Sequence, residues 1–223
     1  MSSSTSTSTS SVPLTFRPIP PTATIPLRHL VLWPSIPLQD QLVPDYDFEP
    51  TTIHLGAFLM ASGTGSSRSP KAQIGSEPQP LDATRLSRSQ SDGEEPIAVL
   101  TLVHHPYPSS KLVTLPSTIA QRLPPTQIQL HKFGVHPLLQ GKGVGRSILN
   151  HTIDLLRLRA ASLSNDGNAE GTGRLFLHFD ARASQRTFYE KCGMIVLNPE
   201  LFLKFGSTGK EVGVEYVRMG NIL

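Results

Sequence analysis

Three glycines alternate with Lys142 and Val144 in the run Gln140-Gly141-Lys142-Gly143-Val144-Gly145-Arg146. From Val144 onward, apolar residues recur at helical spacing as Ile148, Leu149, Ile153 and Leu156. Minimal side chains at the start of a helix leave backbone N–H groups bare at the positive end of the helix dipole, an arrangement that binds an anion. Gln140, Lys142 and Arg146 would add side-chain donors. The run is not a Walker A loop, because Gly143 follows Lys142 where a Ser or Thr belongs and His136 occupies the place of the first glycine. It is not a dinucleotide fingerprint either: G-x-G-x-G falls one residue short, and no acidic residue lies about 20 positions on at a strand end. What remains is an anion-binding loop that opens a long helix, or a glycine-rich turn that merely starts one.

The elements needed to hold such a loop can be read around it. Residues 22 to 33 (TATIPLRHLVLW) predict a short helix with Pro26 in its first turn and Pro34 as its stop, and with Leu27, Leu30, Val31 and Trp33 facing a core. Strands are expected at 51 to 60, 97 to 103, 126 to 135, 174 to 180, 194 to 197, about 201 to 205 and 214 to 219. A helical turn fits 117 to 123, and a short helix at 184 to 192 should be closed by Gly193 in the left-handed conformation. This order predicts a single α/β domain over residues 22 to 223, a mixed, mostly antiparallel sheet flanked by helices. Residues 1 to 21 read as a disordered tail, since every residue from 2 to 11 is Ser or Thr. Residues 61 to 95 lose all periodicity and read as a disordered insertion.

Composition narrows the function. At 223 residues the chain holds one ordinary domain, and no stretch approaches the roughly 18 apolar residues of a membrane span. Cys192 is the only cysteine, which rules out an intrachain disulfide and a cysteine-rich metal site. Residues 1 to 111 carry 7 basic against 9 acidic groups and residues 112 to 223 carry 13 against 8, so an anion belongs to the second half. No basic stripe interleaved with aromatics marks a nucleic-acid partner. The N-terminus lacks the apolar stretch of a secretory signal, which points to the cytoplasm or nucleus and leaves an organelle transit peptide open. His104 and His105 are adjacent on a strand and point to opposite faces, so they make a poor metal pair. Cys192 has no His/Asp pattern beside it and reads as a small packed residue rather than a nucleophile.

Gln140, Gly143 and Gly145 match the Gln/Arg-x-x-Gly-x-Gly/Ala pyrophosphate loop of the GNAT superfamily of acyl-CoA-dependent N-acetyltransferases, which the chain resembles. LRHLVLWPSIP (27 to 37), HLGAF (54 to 58), LHKFGVHP (130 to 137), DARASQRTFYEKCGM (180 to 194) and EYVRM (215 to 219) are similar to a GNAT branch that begins with an LRHxVLWP helix. In that branch an Arg usually stands at the position of His131, and Asn-Ala-Arg replaces Asp180-Ala181-Arg182. Many members carry a Glu base on the strand at 126 to 135, which here has no carboxylate.

The resemblance implies acetyl-CoA as co-substrate, no metal, and an amine acceptor that is a small molecule or a peptide. It also implies a sheet whose strands at 127 to 135 and 175 to 180 splay apart to admit the pantetheine arm. The backbone N–H groups around Phe133, Gly134 and Val135 would then stabilise the oxyanion, and Gly141, Gly143, Val144 and Gly145 with the side-chain donors would hold the pyrophosphate. Tyr189 would protonate the departing thiolate. His131, placed by alternation on the same face as Phe133, would accept the amine proton with an apparent pKa near 6 to 7. Asp180 and Glu49 are candidates for an acidic wall that would favour a cationic acceptor. The alternatives are a non-catalytic acyl-CoA sensing module and a regulator that binds nucleotide through the glycine loop.

Overall fold

The computed structural model describes residues 12–60, 94–165, 173–204 and 213–223. Within them Leu14–Pro18 forms a strand, β1, where a disordered tail was expected as far as residue 21. Leu14 and Phe16 alternate with Thr15 and Arg17 and pack on the core, so five residues suffice to pair antiparallel with a neighbour. Pro18 is tolerated because this strand lies at the sheet edge. The expected tail at 1–11 and nearly all of the expected insertion, 61–93, lie outside the described residues.

A 3-10 turn at Pro21–Thr24 runs into helix α1, Ile25–Val31, and a single turn at Pro44–Asp47 forms α2. The sheet continues with β2 (Ile53–Leu59) and β3 (Ala98–Val103), a short α3 (Ser117–Ala120), and β4 (Gln127–Val135). The long helix α4 (Val144–Asn165), β5 (Phe176–Arg182), the short α5 (Arg186–Glu190), β6 (Ile195–Lys204) and β7 (Val214–Ile222) complete it. The seven strands lie in the order β1-β2-β3-β4-β5-β7-β6, antiparallel throughout except for the parallel pair β4 and β5. The two strands expected at 194 to 197 and 201 to 205 are one strand, β6, whose register against β7 shifts on either side of Asn198, next to Pro199.

Leucine, isoleucine and valine on α4 fill one face of the sheet. Val144, Ile148, Leu149, Ile153 and Leu156 are buried against Leu100, Leu102, Leu130 and Leu177. Burial of each such side chain stabilises the fold by about 1.5–3 kcal/mol. The other face is covered by α1, where one expectation fails: Leu30 is 50% exposed and Arg28 is 0% exposed. Thr24, Leu27, Arg28 and Val31 make the inward stripe at helical spacing, and a charged residue sits at its centre.

Candidate functional site

The parallel pairing of β4 with β5 covers only Gln127 to Gln129 against Phe176 to His178. Beyond those residues β4 runs on to Val135 against β3, and β5 runs on to Arg182 against β7. The two strands therefore splay toward their C-terminal ends, as the resemblance implied. Backbone groups of β4 and β5 that face this gap have no strand opposite them, and buried backbone groups of that kind require a partner.

A β-bulge modifies β4 where the gap opens. Val99 pairs with Gly134 and Thr101 with His131, so β4 spends one residue more than β3 between these pairs. Lys132 lies there with φ 54°, the only positive φ outside glycine among the described residues. The extra residue inverts the alternation: Ile128 and Leu130 point toward α4, and beyond the bulge it is Phe133 and Val135 that pack on that core. A Cβ on Gly134 would instead meet Val31 and Leu32 of the α1 segment, at 3.7 and 3.8 Å. His131 consequently does not share a face with Phe133. Its ring lies 5.1 Å from that of Tyr46, on the α1 and α2 side, and its buried Nδ1 has no hydrogen-bond partner. Burial, followed by the charges of Lys132 and Arg28, brings its pKa down to about 4, so the expected titration near 6 to 7 is lost.

At the end of β4 the glycine loop turns into α4. Gly141 and Gly143 have φ of 74° and 83°, the left-handed region that favours glycine, and a Cβ at either would meet nothing within 4 Å. Gly143 is the residue whose carbonyl accepts the first helical bond, from Ser147 N–H at 3.0 Å. Because it has no side chain to cap the helix, the leading N–H groups through Arg146 are left for a ligand. No acidic residue occupies the first turn, and Lys142 and Arg146 are exposed beside it. The open space over Gly141 and Gly143 and this donor set fit a pyrophosphate. Gln140 differs from expectation: its Nε2 donates to the Val135 carbonyl at 3.0 Å and braces the loop on β4. A Cβ on Gly145 would make ordinary contact with Val135, Phe188 and Phe133, so this glycine lies against the protein.

Gly193 closes α5 with φ 84°, as its sequence position suggested, and Met194 N–H bonds back to Tyr189 O at 3.0 Å. That turn fixes Tyr189, which is buried among Phe133, Phe179 and Phe188, the Phe179 ring centroid being 4.6 Å away. Burial pushes its phenol well above the ordinary range. Full proton transfer from it is therefore less favourable than for a free tyrosine, whereas hydrogen-bond donation is unaffected. Cys192 is half-buried against the same core, and burial raises its pKa, which suits packing and not nucleophilic attack. His105 contributes its backbone carbonyl to His178 Nε2 at 2.9 Å. Among the described residues no three His, Cys, Asp or Glu side chains are grouped to hold a metal ion.

Opposite this apolar side lies a charged one. Arg28 makes a fork of two 2.7 Å bonds to Asp47 and a third to Thr101 Oγ1. Burial alone would raise the Asp47 pKa, but the bonds from Arg28 and Val43 N–H outweigh it and hold the carboxyl low. Asp180 is held by Lys204 at 2.8 Å and Arg218 at 2.9 Å, so it is not a free acidic wall, and Glu49 is exposed. Arg182 Nη2 donates to the Leu32 carbonyl at 3.1 Å, across the mouth of the splay. Lys132, Arg182, Lys204 and the Arg28 pair did not figure among the candidates. The spacing of Ile128 and Leu130 against Phe133 and Val135, one residue out of phase, is the sequence signal of the bulge that brings Lys132 and His131 to this side.

A mixed sheet with one parallel pair splayed at its centre, and a glycine loop feeding a long helix at the end of the splay, is the GNAT fold. Arabidopsis thaliana NAA60 in complex with acetyl-CoA shares it at 13% identity and TM-score 0.52, over 94% of this chain and 98% of that one. The same Arabidopsis thaliana protein with a bisubstrate analogue matches at 12% identity and TM-score 0.52, over 94% and 99%. The Escherichia coli ribosomal-protein-S18-alanine N-acetyltransferase matches at 12% identity and TM-score 0.49, over 93% and 92%. No family model matches the chain, and no curated protein matches it in sequence.

Proposed function

We propose that this protein is an N-acetyltransferase that moves the acetyl group of acetyl-CoA to a primary amine by direct attack. The observation that carries the reading is the splay of β4 from β5 beyond Gln129 and His178, with the bare N-terminus of α4 at its end. Backbone donors at the α4 N-terminus suit a pyrophosphate, and the unpaired edges of β4 and β5 suit the amides of a pantetheine arm. A thioester lying in the gap would come against β4 near the bulge. There the N–H groups of Phe133 to Val135 would stabilise the oxyanion that forms as the amine attacks. The C–N bond forms, the C–S bond breaks with its electron pair leaving on sulfur, and the proton given up by the amine nitrogen ends on that sulfur, so that CoA departs as the thiol.

Tyr189 would donate a hydrogen bond to that sulfur, its raised pKa making it a stabiliser of the thiolate more than a source of free protons. His131, neutral across the physiological range, offers its unpartnered Nδ1 to the incoming amine as an acceptor. The site residues are then Tyr189 and His131 for the chemistry, and Phe133, Gly134, Val135 and Gly141 to Arg146 for acetyl-CoA, with Gln140 bracing the loop. Calorimetry with acetyl-CoA, CoA and ATP, coupled to thiol release over an amine panel, tests this. Acetyl-CoA binding with amine-dependent thiol release is expected. Binding of ATP without binding of CoA would overturn it.

A further inference from the structure

The α1 face of the sheet is unevenly charged where β4 and β5 part. Arg28 is matched by Asp47, while Asp180 alone faces both Lys204 and Arg218, so these five groups leave one positive charge in excess. Lys132 and Arg182 add two more, and neither has a carboxylate within ion-pair distance among the described residues. Both converge on the end of α1: Arg182 on the Leu32 carbonyl, and Lys132 Nζ 5.6 Å from the centre of the Trp33 ring. Among the described residues, the rings beside these groups add no charge, His131 being neutral and Tyr46, Trp33, Phe202 and Tyr216 aromatic. Burial and then Arg28 bring the Lys132 pKa down to about 8, which leaves it mostly protonated at pH 7 and short of a counter-charge. Such a field repels an acceptor whose only charge is an ammonium. An acceptor that brings its own anion compensates the field, and the cations lower the pKa of its ammonium, which favours the neutral nucleophile.

We infer that the acceptor is an amine with a carboxylate close beside it, and that Lys132 and Arg182 receive that carboxylate at the mouth of the splay. This rests on the acyl-transfer reading and makes the two cations binding residues for the acceptor. A free amino acid and a peptide end with an acidic side chain share the chemistry. The test is thiol release from acetyl-CoA over matched acceptors: glycine against glycinamide, glutamate against glutamine, and peptides with an acidic or an amide side chain at the first two positions, with spermidine as a cationic reference. The carboxylate-bearing member of at least one class of pair should show kcat/KM at least tenfold higher, and which class does so separates the amino acid from the peptide end. In K132M and R182M that preference should collapse, chiefly through a raised KM for the carboxylate-bearing acceptor, and K132R should retain it. Acetyl-CoA affinity in each variant reports whether the fold and acyl site survive; where a variant loses it, the wild-type pairs still decide. Equal rates within every pair, or a preference for spermidine, would overturn the anionic acceptor and leave acyl transfer standing. Thiol release with no acceptor would overturn the proposal, and absent acetyl-CoA binding would show that the acyl-transfer reading fails with it.

Discussion

On one side of β4 the candidate site is made of backbone and apolar rings; on the other it is made of charged side chains. Toward α4, the bare N–H groups from Gly143 to Arg146 and the cluster of Phe133, Phe179, Phe188 and Tyr189 offer donors and a dry wall with little net charge of their own. Toward α1, Arg28, Lys132, Arg182, Lys204 and Arg218 outnumber Asp47 and Asp180. The backbone side is indifferent to which residues surround it so long as they stay small, and it suits a ligand shared by many proteins. The charged side depends on each side chain and suits the partner that differs. A single extra residue in β4 separates the two, because the bulge turns Phe133 to one side while it leaves His131 and Lys132 on the other.

The contrast can be broken most severely at the buried ion pair. Asp47→Ala leaves Arg28 charged and unmatched at 0% exposure, and the loss of stability should be about 3–5 kcal/mol, read from denaturant unfolding. On the apolar side, Tyr189→Phe keeps the ring and removes the donor. Turnover should fall by about 10²-fold with acetyl-CoA affinity nearly unchanged, whereas unaltered turnover would remove Tyr189 from the chemistry. Gly143→Val fills the open space of a left-handed position, and the acetyl-CoA dissociation constant should rise by about tenfold in a protein that still folds by circular dichroism.

The smallest effect is a pH dependence. His131 is protonated in the unfolded chain below about 6.5 but resists protonation in the fold until about pH 4, so stability is intact above pH 6.5 and declines as pH falls through that window. His131→Gln should flatten this decline by on the order of 1 kcal/mol. The low pKa values of Asp47 and Asp180 have the same sign at lower pH, their stabilisation being present above 3.8 and lost as pH drops through the depressed values. A thermal melt series that shows no loss between pH 6.5 and 4 would place His131 in water.

How far these features were legible follows from the range of the forces involved. The glycine loop, the start of α4 and the turn at Gly193 are set by local sterics, and their residues announce them. Tyr189 and the splay came with the resemblance, since strand pairing over such sequence separation leaves no local mark. Strict alternation puts His131 beside Phe133, and the bulge that parts them has its trace in the sequence, where Leu130 is followed by an apolar residue at 133 and not at 132. Arg28, a charged residue between Leu27 and Val31, reads as the wet side of a helix, and only the fold shows that Asp47, 19 residues on, receives it.

The five residues of β1 bear on how the chain keeps to itself. β2 is buried over its middle five positions and would be an outer strand if β1 were cut away. Its row of unsatisfied amides and carbonyls, flanked by Leu55, Ala57 and Phe58, would template another copy or a growing fibril. β1 replaces that edge with one carrying Arg17 and ending in Pro18, to which a further strand adds poorly. Trimming the chain at residue 21 to tidy its serine-rich beginning would therefore lay the β2 edge open to aggregation, whereas a cut at residue 11 spares the guard.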